Sequence, residues 1–300
     1  MTVKYEKGRP HAFPATMAAG LFVSIAIFLF AGLLPQAVLA KTAVVANSTP
    51  HPAAEPPSPH RNAQTPLIVV ELFTSQGCSS CPPADALLRE IGAQEDILAL
   101  SLSVTYWDYL GWRDTLAAPE HTARQRSYAE RINKGEVYTP QMIIDGMDLM
   151  VGSDQVAVVN SIAARRAHWQ SRNAARPEIE MSLSQSKLTV DIAASHEAAP
   201  DDGATLWLMP FSAQRMVTIS AGENRNRVLT YHHPVANMRE IGEWQGDAVT
   251  HTVRLNDADV NMGEGGWAVI LQQGKTGPVI AAARIFAPGI TTSGILKEQN

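Results

Sequence analysis

Cys78 and Cys81 are the only cysteines in this chain of 300 residues, and they stand as a CxxC pair between an apolar strand-like run and a helical pattern. Two intervening residues let both sulfurs share one turn and close or reopen a small disulfide ring, so the spacing points to redox chemistry. The upstream run Leu67 to Phe73 reads as a buried strand, and Thr74-Ser75-Gln76-Gly77 as the turn leaving it. Downstream, Ala84, Leu87, Leu88 and Ile91 share one helical face, with Gly92 as the stop. Pro82 and Pro83 lack N–H donors and are tolerated in a first turn, where such donors have no intrahelical partner. The pattern predicts a helix that starts at the cysteines, with Cys78 at its N-terminus. Unpaired backbone N–H groups and the positive dipole end favour a thiolate there, which makes Cys78 the attacking nucleophile and Cys81 the resolving thiol.

The compartment must allow such a pair to cycle. Lys4, Lys7 and Arg9 form a basic start, Gly20 to Leu34 is an uncharged apolar run, and Val38-Leu39-Ala40 is a small-residue cleavage pattern before Lys41. Residues 1–40 therefore read as a cleaved signal peptide or a retained N-terminal anchor, and either one exports the rest to the periplasm or the extracellular space. Residues 41–66, rich in Pro and Ala, read as a disordered linker. Two cysteines are too few for a disulfide-stapled scaffold, so the pair is functional rather than architectural. The formal net charge of -5 offers no basic face for nucleic acid.

Strand-like and helical runs alternate from residue 67 to 175: Ile97 to Val104 as a strand, Pro119 to Asn133 as a helix, Gln141 to Ile144 as a strand, and Ser153 to Gln170 as a helix capped by Ser153. After Arg176 the texture becomes all-β, with eight runs between Glu178 and Phe286 separated by turns such as Asp202-Gly203 and Gly274-Lys275-Thr276-Gly277. The expected architecture is an α/β domain over 67–175 followed by a separate antiparallel, sandwich-like β domain over 176–300. The polar turn Gly222 to Arg227 reads as a solvated loop.

The order strand, CxxC, helix, strand, helix, then Val137-Tyr138-Thr139-Pro140 before the strand at Gln141, resembles the thioredoxin superfamily. More narrowly, LIVVELFTSQGCSSCPPAD, SVTYWDYLGWRD, TARQRSYAERI, VYTPQMIIDG and GWAVILQQGKTGPVIAAA resemble an exported thioredoxin-like family catalogued as domain of unknown function 1223, over about Leu67 to Phe286. The resemblance implies a thioredoxin-like α/β domain, a cis-proline at Pro140 beside the CxxC, and a Thr139 backbone that pairs with a bound substrate segment. It also implies that an acid on the first strand moves protons for the inner cysteine. Glu71 is the acid available, one position further from Cys78 than thioredoxins place theirs. The competing reading makes Glu71 an ion-pair partner of a helix cation such as Arg124 or Arg126.

Three functions compete. The preferred one is an exported thiol-disulfide oxidoreductase acting on protein thiols or disulfides, with no cofactor and a separate redox partner for recycling, since no third cysteine exists. The second is copper handling by the thiolates of Cys78 and Cys81, for which His232-His233 and Met209, Met216, Met238 and Met262 are further soft or borderline ligands. Adjacent strand histidines point to opposite faces, which argues against joint ligation. The third is a redox-inactive binding module whose β domain recognises a partner. The aromatic segment Thr105 to Trp112 fits the lip of a peptide groove or, alternatively, a loop packed onto the body.

Overall fold

Every residue of the strand Ile68–Thr74 (β1) is buried, as a strand covered on both faces must be. The computed structural model describes residues 66–171, 176–261 and 265–287. The chain divides into Met1–Ser58, none of which is among the described residues, and Pro59–Asn300, which holds every element below. The predicted leader and almost all of the linker, like Met262, thus lie outside the described residues.

After β1 the chain forms helix α1 (Pro82–Gly92), strand β2 (Ile97–Ser103), helix α2 (Pro119–Ile132), the hairpin β3 (Gln141–Ile144) and β4 (Asp148–Val151), and helix α3 (Gln155–Ser171). The first sheet has the order β2-β1-β3-β4, with β1 and β2 parallel and the remaining pairs antiparallel. One face of β1, through Ile68, Val70 and Leu72, packs on Leu87, Leu88 and Ile91 of α1 and Val158 and Ile162 of α3. Asp154 rather than Ser153 caps α3, since its Oδ1 accepts the Ala157 N–H at 3.0 Å.

The rest of the chain is strands β5 (Ile179–Ser184), β6 (Lys187–Ile192), β7 (Ala204–Phe211), β8 (Gln214–Thr218), β9 (Val228–His232), β10 (Arg239–Trp244) and β11 (Val249–Arg254), the short helix α4 (Asp257–Asn261), then β12 (Gly266–Gln273) and β13 (Val279–Phe286). They build a sheet β10-β7-β12-β13, a sheet β11-β6-β5 and the ribbon β8-β9. Leu206 and Leu208 of β7 and Val269 and Leu271 of β12 pack on Leu188, Val190 and Ile192 of β6. From the opposite face of the same strands, Met209, Phe211, Ala268 and Ile270 pack on Val69 and Phe73 of β1 and Leu98 and Leu100 of β2.

That second contact overturns the expected fold class. Thirteen strands in four sheets dominate the described residues, and no thioredoxin-like α/β domain stands apart from a β domain. In the β10-β7-β12-β13 sheet the central strands β7 and β12 are buried on both faces, and one of the two cores they serve includes the first sheet. Backbone bonds tie the halves further: Ser101 N–H donates to His233 O at 3.0 Å, Val235 N–H to Ser101 O at 2.9 Å and Val279 N–H to Asp145 O at 2.9 Å. The physical reason lies in β7, ATLWLMPF, and β12, GWAVILQQ, which lack the apolar-polar alternation of a strand facing water on one side.

Candidate functional site

The two prolines of α1 occupy its first positions, and the N-cap is Cys81, in helical backbone geometry. Cys78 lies one turn upstream, so the helix starts at the second cysteine and not at the first. Cys78 N–H donates to Ser75 O at 3.1 Å and Cys81 N–H to Cys78 O at 3.3 Å, which fixes the turn between them. The cysteines form a disulfide with their Cα atoms 5.4 Å apart, within the usual range for such a bridge. Ser80 Oγ is 3.4 Å from Cys78 Sγ; a disulfide sulfur carries no proton, so the hydroxyl is the donor. Cys78 is 1% and Cys81 0% exposed, while Ser79 and Ser80 face solvent.

The β8-β9 connection is fastened to the backbone around the cysteines. The Asn224 amide donates to Gln76 O at 3.0 Å and Cys78 O at 2.8 Å, and Glu223 Oε2 accepts the Ser79 N–H at 3.2 Å. Arg227 holds Asn224 from behind, donating to its Oδ1 at 2.8 Å. The turn Gly222 to Arg227, read from sequence as a solvated loop, therefore sits on the CxxC. On another side, Gln76 N–H donates to Asp114 Oδ2 at 2.8 Å, and Gln76 Oε1 accepts from Trp112 Nε1 at 2.8 Å. The segment 112–116 is thereby fastened to the residue two before Cys78.

The Thr139-Pro140 peptide bond is cis. Trp107 Nε1 donates to Thr139 Oγ1 at 2.7 Å, and a Cβ placed on Gly77 would meet Trp107 Cβ at 3.1 Å. Trp107 thus bridges the Thr139-Pro140 pair to the turn before Cys78. Gly152 makes a second link: a Cβ there would meet Leu72 Cδ1 at 2.8 Å, Ala84 Cβ at 3.2 Å and Pro140 Cβ at 3.3 Å. Pro140 therefore packs beside the start of α1. The aromatic segment is divided in its behaviour: Tyr106 and Trp107 pack on the core, whereas Tyr109 is 77% exposed and stacks on Trp107.

Glu71 sits on the face of β1 turned away from α1. Arg124 Nε donates to its Oε1 at 2.5 Å, Arg124 Nη2 to Oε2 at 3.0 Å, and the Tyr128 hydroxyl to Oε2 at 2.6 Å. Gln272 closes the network, accepting from Arg124 at 3.0 Å and donating to the Tyr128 hydroxyl at 2.8 Å. Of the two readings of Glu71, this geometry fits the ion pair. A different buried acid stands on α1 itself: Asp85, four residues after Cys81 and 6% exposed. Burial pushes its carboxyl up to about 8; the Thr74 hydroxyl opposes the shift without closing a hydrogen bond, and Asp114 adds to it. Asp85 also lines a cleft of about 180 Å³ with Pro82, Ala86, Arg89, Val228, Leu229 and Thr230. A cleft of about 240 Å³ lies on the β11-β6-β5 sheet, away from this site.

A family model described as "Protein of unknown function (DUF1223)" matches residues 69–272, a span that includes Cys78, Cys81, Asp85, Thr139, Pro140 and Asn224. The chain belongs to the DUF1223 family. This DUF1223 chain is also similar to the X-ray crystal structure of protein AGR_C_4864 from Agrobacterium tumefaciens, at 30% identity over 76% of this chain and 98% of that one, with a TM-score of 0.62. No curated protein matches it.

The remaining expected ligands of this DUF1223 member are dispersed. Met209 is core, Met216 is 70% exposed and Met238 flanks the Phe211 cluster. His232 and His233 do not point to opposite faces, because His233 leaves the strand with φ 44° and its ring lies against His232, centroids 3.9 Å apart and planes tilted by 30°. Among the described residues, no group of three or more His, Cys, Asp or Glu side chains is placed to hold a metal ion. Sequence reasoning missed Asp85 and Asn224. Asp85 carried one usable signal, an acid on the apolar face of α1 one turn after Cys81; Asn224 carried none.

Proposed function

We propose that this protein is an exported thiol-disulfide oxidoreductase that exchanges disulfides with protein substrates through Cys78 and Cys81. The observation that carries the reading is the closed Cys78–Cys81 bridge, with the Ser80 hydroxyl directed at Cys78 Sγ. When the bridge opens, that hydroxyl stabilises a thiolate on Cys78 in preference to a thiol. Thiolate Cys78 attacks a substrate disulfide, forming a mixed disulfide and releasing one substrate thiolate. Cys81 then attacks Cys78, reforming the bridge and releasing the second. Run backwards, the same steps oxidise a substrate dithiol. A separate redox partner resets the pair, as the chain has no third cysteine. The exposed Tyr109, stacked on Trp107, offers an aromatic surface for an incoming chain segment on the Thr139-Pro140 side.

The test is trapping. Cys81→Ser protein expressed in an exporting bacterial host should retain substrate proteins as mixed disulfides through Cys78, identified by mass spectrometry of non-reduced samples. A lack of trapped partners, together with tight Cu(I) binding by the reduced wild type, would replace exchange with metal handling. If neither appears, the binding-module reading is the one left.

A further inference from the structure

Cys81 is fully buried, so when the bridge opens its sulfur must receive a proton from inside the protein and return it when the bridge closes. Two other buried acids near the first sheet, Glu71 and Asp114, have their oxygens committed elsewhere. Glu71 faces away from α1 and its oxygens are held by Arg124 and Tyr128. Both Asp114 oxygens accept backbone N–H groups, Oδ2 from Gln76 and Oδ1 from Leu116, each at 2.8 Å. His121 is bound through Nδ1 to Ser103 O at 3.0 Å, its Nε2 is unpartnered and burial keeps the ring neutral, and the Tyr231 hydroxyl, also unpartnered, is held protonated by its surroundings.

Asp85 combines three features. The N-cap Cys81 has helical φ and ψ, so a residue four positions later lies over it on the same face, with Cβ atoms roughly 5–6 Å apart. Asp85 Oδ1 makes no hydrogen bond although the residue is 6% exposed. The same side chain lines the cleft between α1 and β9, which also includes Arg89. A buried carboxyl with unused capacity is thus one helical turn from a sealed sulfur and lines an opening to water.

We propose that Asp85 is the proton carrier for Cys81, exchanging that proton with solvent through the cleft between α1 and β9. The proposal rests on the exchange reading above and names the residue that completes it. In the mixed disulfide, the Cys81 thiol passes its proton to the Asp85 carboxylate as its sulfur attacks Cys78. The Cys81–Cys78 bond forms, the bond from Cys78 to the substrate sulfur breaks, and the substrate leaves with the electron pair as a thiolate. Two electrons have moved from the cysteine pair to the substrate disulfide, and Asp85 loses the proton to the cleft. Reduction of the bridge reverses each transfer. The charged and titratable groups that face Asp85 are Asp114 from the loop before α2, Tyr231 from β9 and Arg89 from its own helix.

The experiment has two parts. In reduced Cys78→Ser protein, Cys81 is the sole thiol, and its ultraviolet thiolate absorbance is titrated with and without Asp85→Asn. Removal of the acid should lower the Cys81 midpoint by about one pH unit, as loss of a nearby negative charge does. With both cysteines present, the mixed disulfide with glutathione should close at least about tenfold more slowly near neutral pH in Asp85→Asn. Unchanged titration and unchanged closure would overturn the proposal. A wild type that forms no mixed disulfide would sink the exchange reading, whereas the Cys81 titration needs no substrate and judges the coupling separately. Should Asp85→Asn fail to fold, carbon-13 NMR of the wild-type carboxyl decides: its midpoint must move when the bridge is reduced, and a static midpoint overturns the assignment.

Discussion

The side-chain amide of Asn224 holds the carbonyl of Cys78 at 2.8 Å, from a turn that follows the cysteine by more than a hundred residues. Its second hydrogen goes to Gln76 O at 3.0 Å, and both residues are buried. Asn224→Ala should therefore cost about 1–3 kcal/mol, as two buried carbonyls lose their donor. It should also speed reduction of the Cys78–Cys81 bridge by a small phosphine several-fold, because the backbone that carries Cys78 is released from the turn. Thermal unfolding and reduction kinetics on one preparation check both; unaltered reduction would mean that the Asn224 bonds do not restrain the bridge.

Glu71→Gln should destabilise by about 3–5 kcal/mol, since it leaves the buried Arg124 guanidinium without its counter-charge. The ion pair joins α2 to β1, and Gln272 of β12 shares it, so the loss should appear as one cooperative shift in denaturant midpoint. The pH dependence of thiol exchange should stay in place. A displaced profile would return a proton-carrying role to Glu71.

Three buried histidines make the fold acid-sensitive. Burial lowers His121 and His232 to about 4, and His233 well below the usual histidine value. Arg89 and Arg284 add to the effect at His232. In the unfolded chain these rings protonate near pH 6.5, so between that pH and 4 the unfolded state binds more protons. Stability from each ring is complete above about pH 6.5 and falls by about 1.4 kcal/mol per pH unit below it. His232→Gln should flatten the acid limb of melting temperature against pH by one proton's share; an unchanged slope would place the uptake elsewhere.

Asp85 acts with the opposite sign. Its folded carboxyl is raised from 3.8 to about 8, so the folded state holds a proton that the unfolded state has released. The stability this gives is present below about 3.8 and is lost as pH rises through the window to about 8. Asp85→Asn should therefore gain stability relative to wild type as pH increases from 5 to ~8. Calorimetry of the two proteins across that range checks it, and a constant difference would contradict a buried neutral acid.

Gly152→Ala should lower stability by about 1–3 kcal/mol, because the new methyl would lie 2.8 Å from Leu72 Cδ1 and 3.3 Å from Pro140 Cβ. The push falls where Pro140 meets α1, so exchange activity should fall as well. A fully active, fully stable variant would show that this packing yields without loss.

Individual elements were legible because their signals are local. The β1 run, the apolar face of α1, the two prolines at its start and Pro119 opening α2 all act within a few residues, and the structure has each element in place. The missed strands, β4 (DLMV) and β10 (REIGEW), are short and partly exposed, and pairing with β3 and β7 is what makes them strands. The expectation of separate domains failed on β7 and β12. Their unbroken apolar texture signals strand character locally, and it also specifies a second buried face.

By itself, the sequence determined that two cysteines lie three positions apart at the start of a helix, next to Ser80, and that they belong to the DUF1223 family. Only the tertiary structure decided what surrounds them. Spacing along a chain sets which groups share a turn, but burial and partnership come from segments far away in sequence. Asn224 reaches Cys78, Arg124 occupies Glu71, and Asp85 keeps an unpaired oxygen beside a cleft, because the β8-β9 ribbon and the inner sheet pack against the first sheet and its helices.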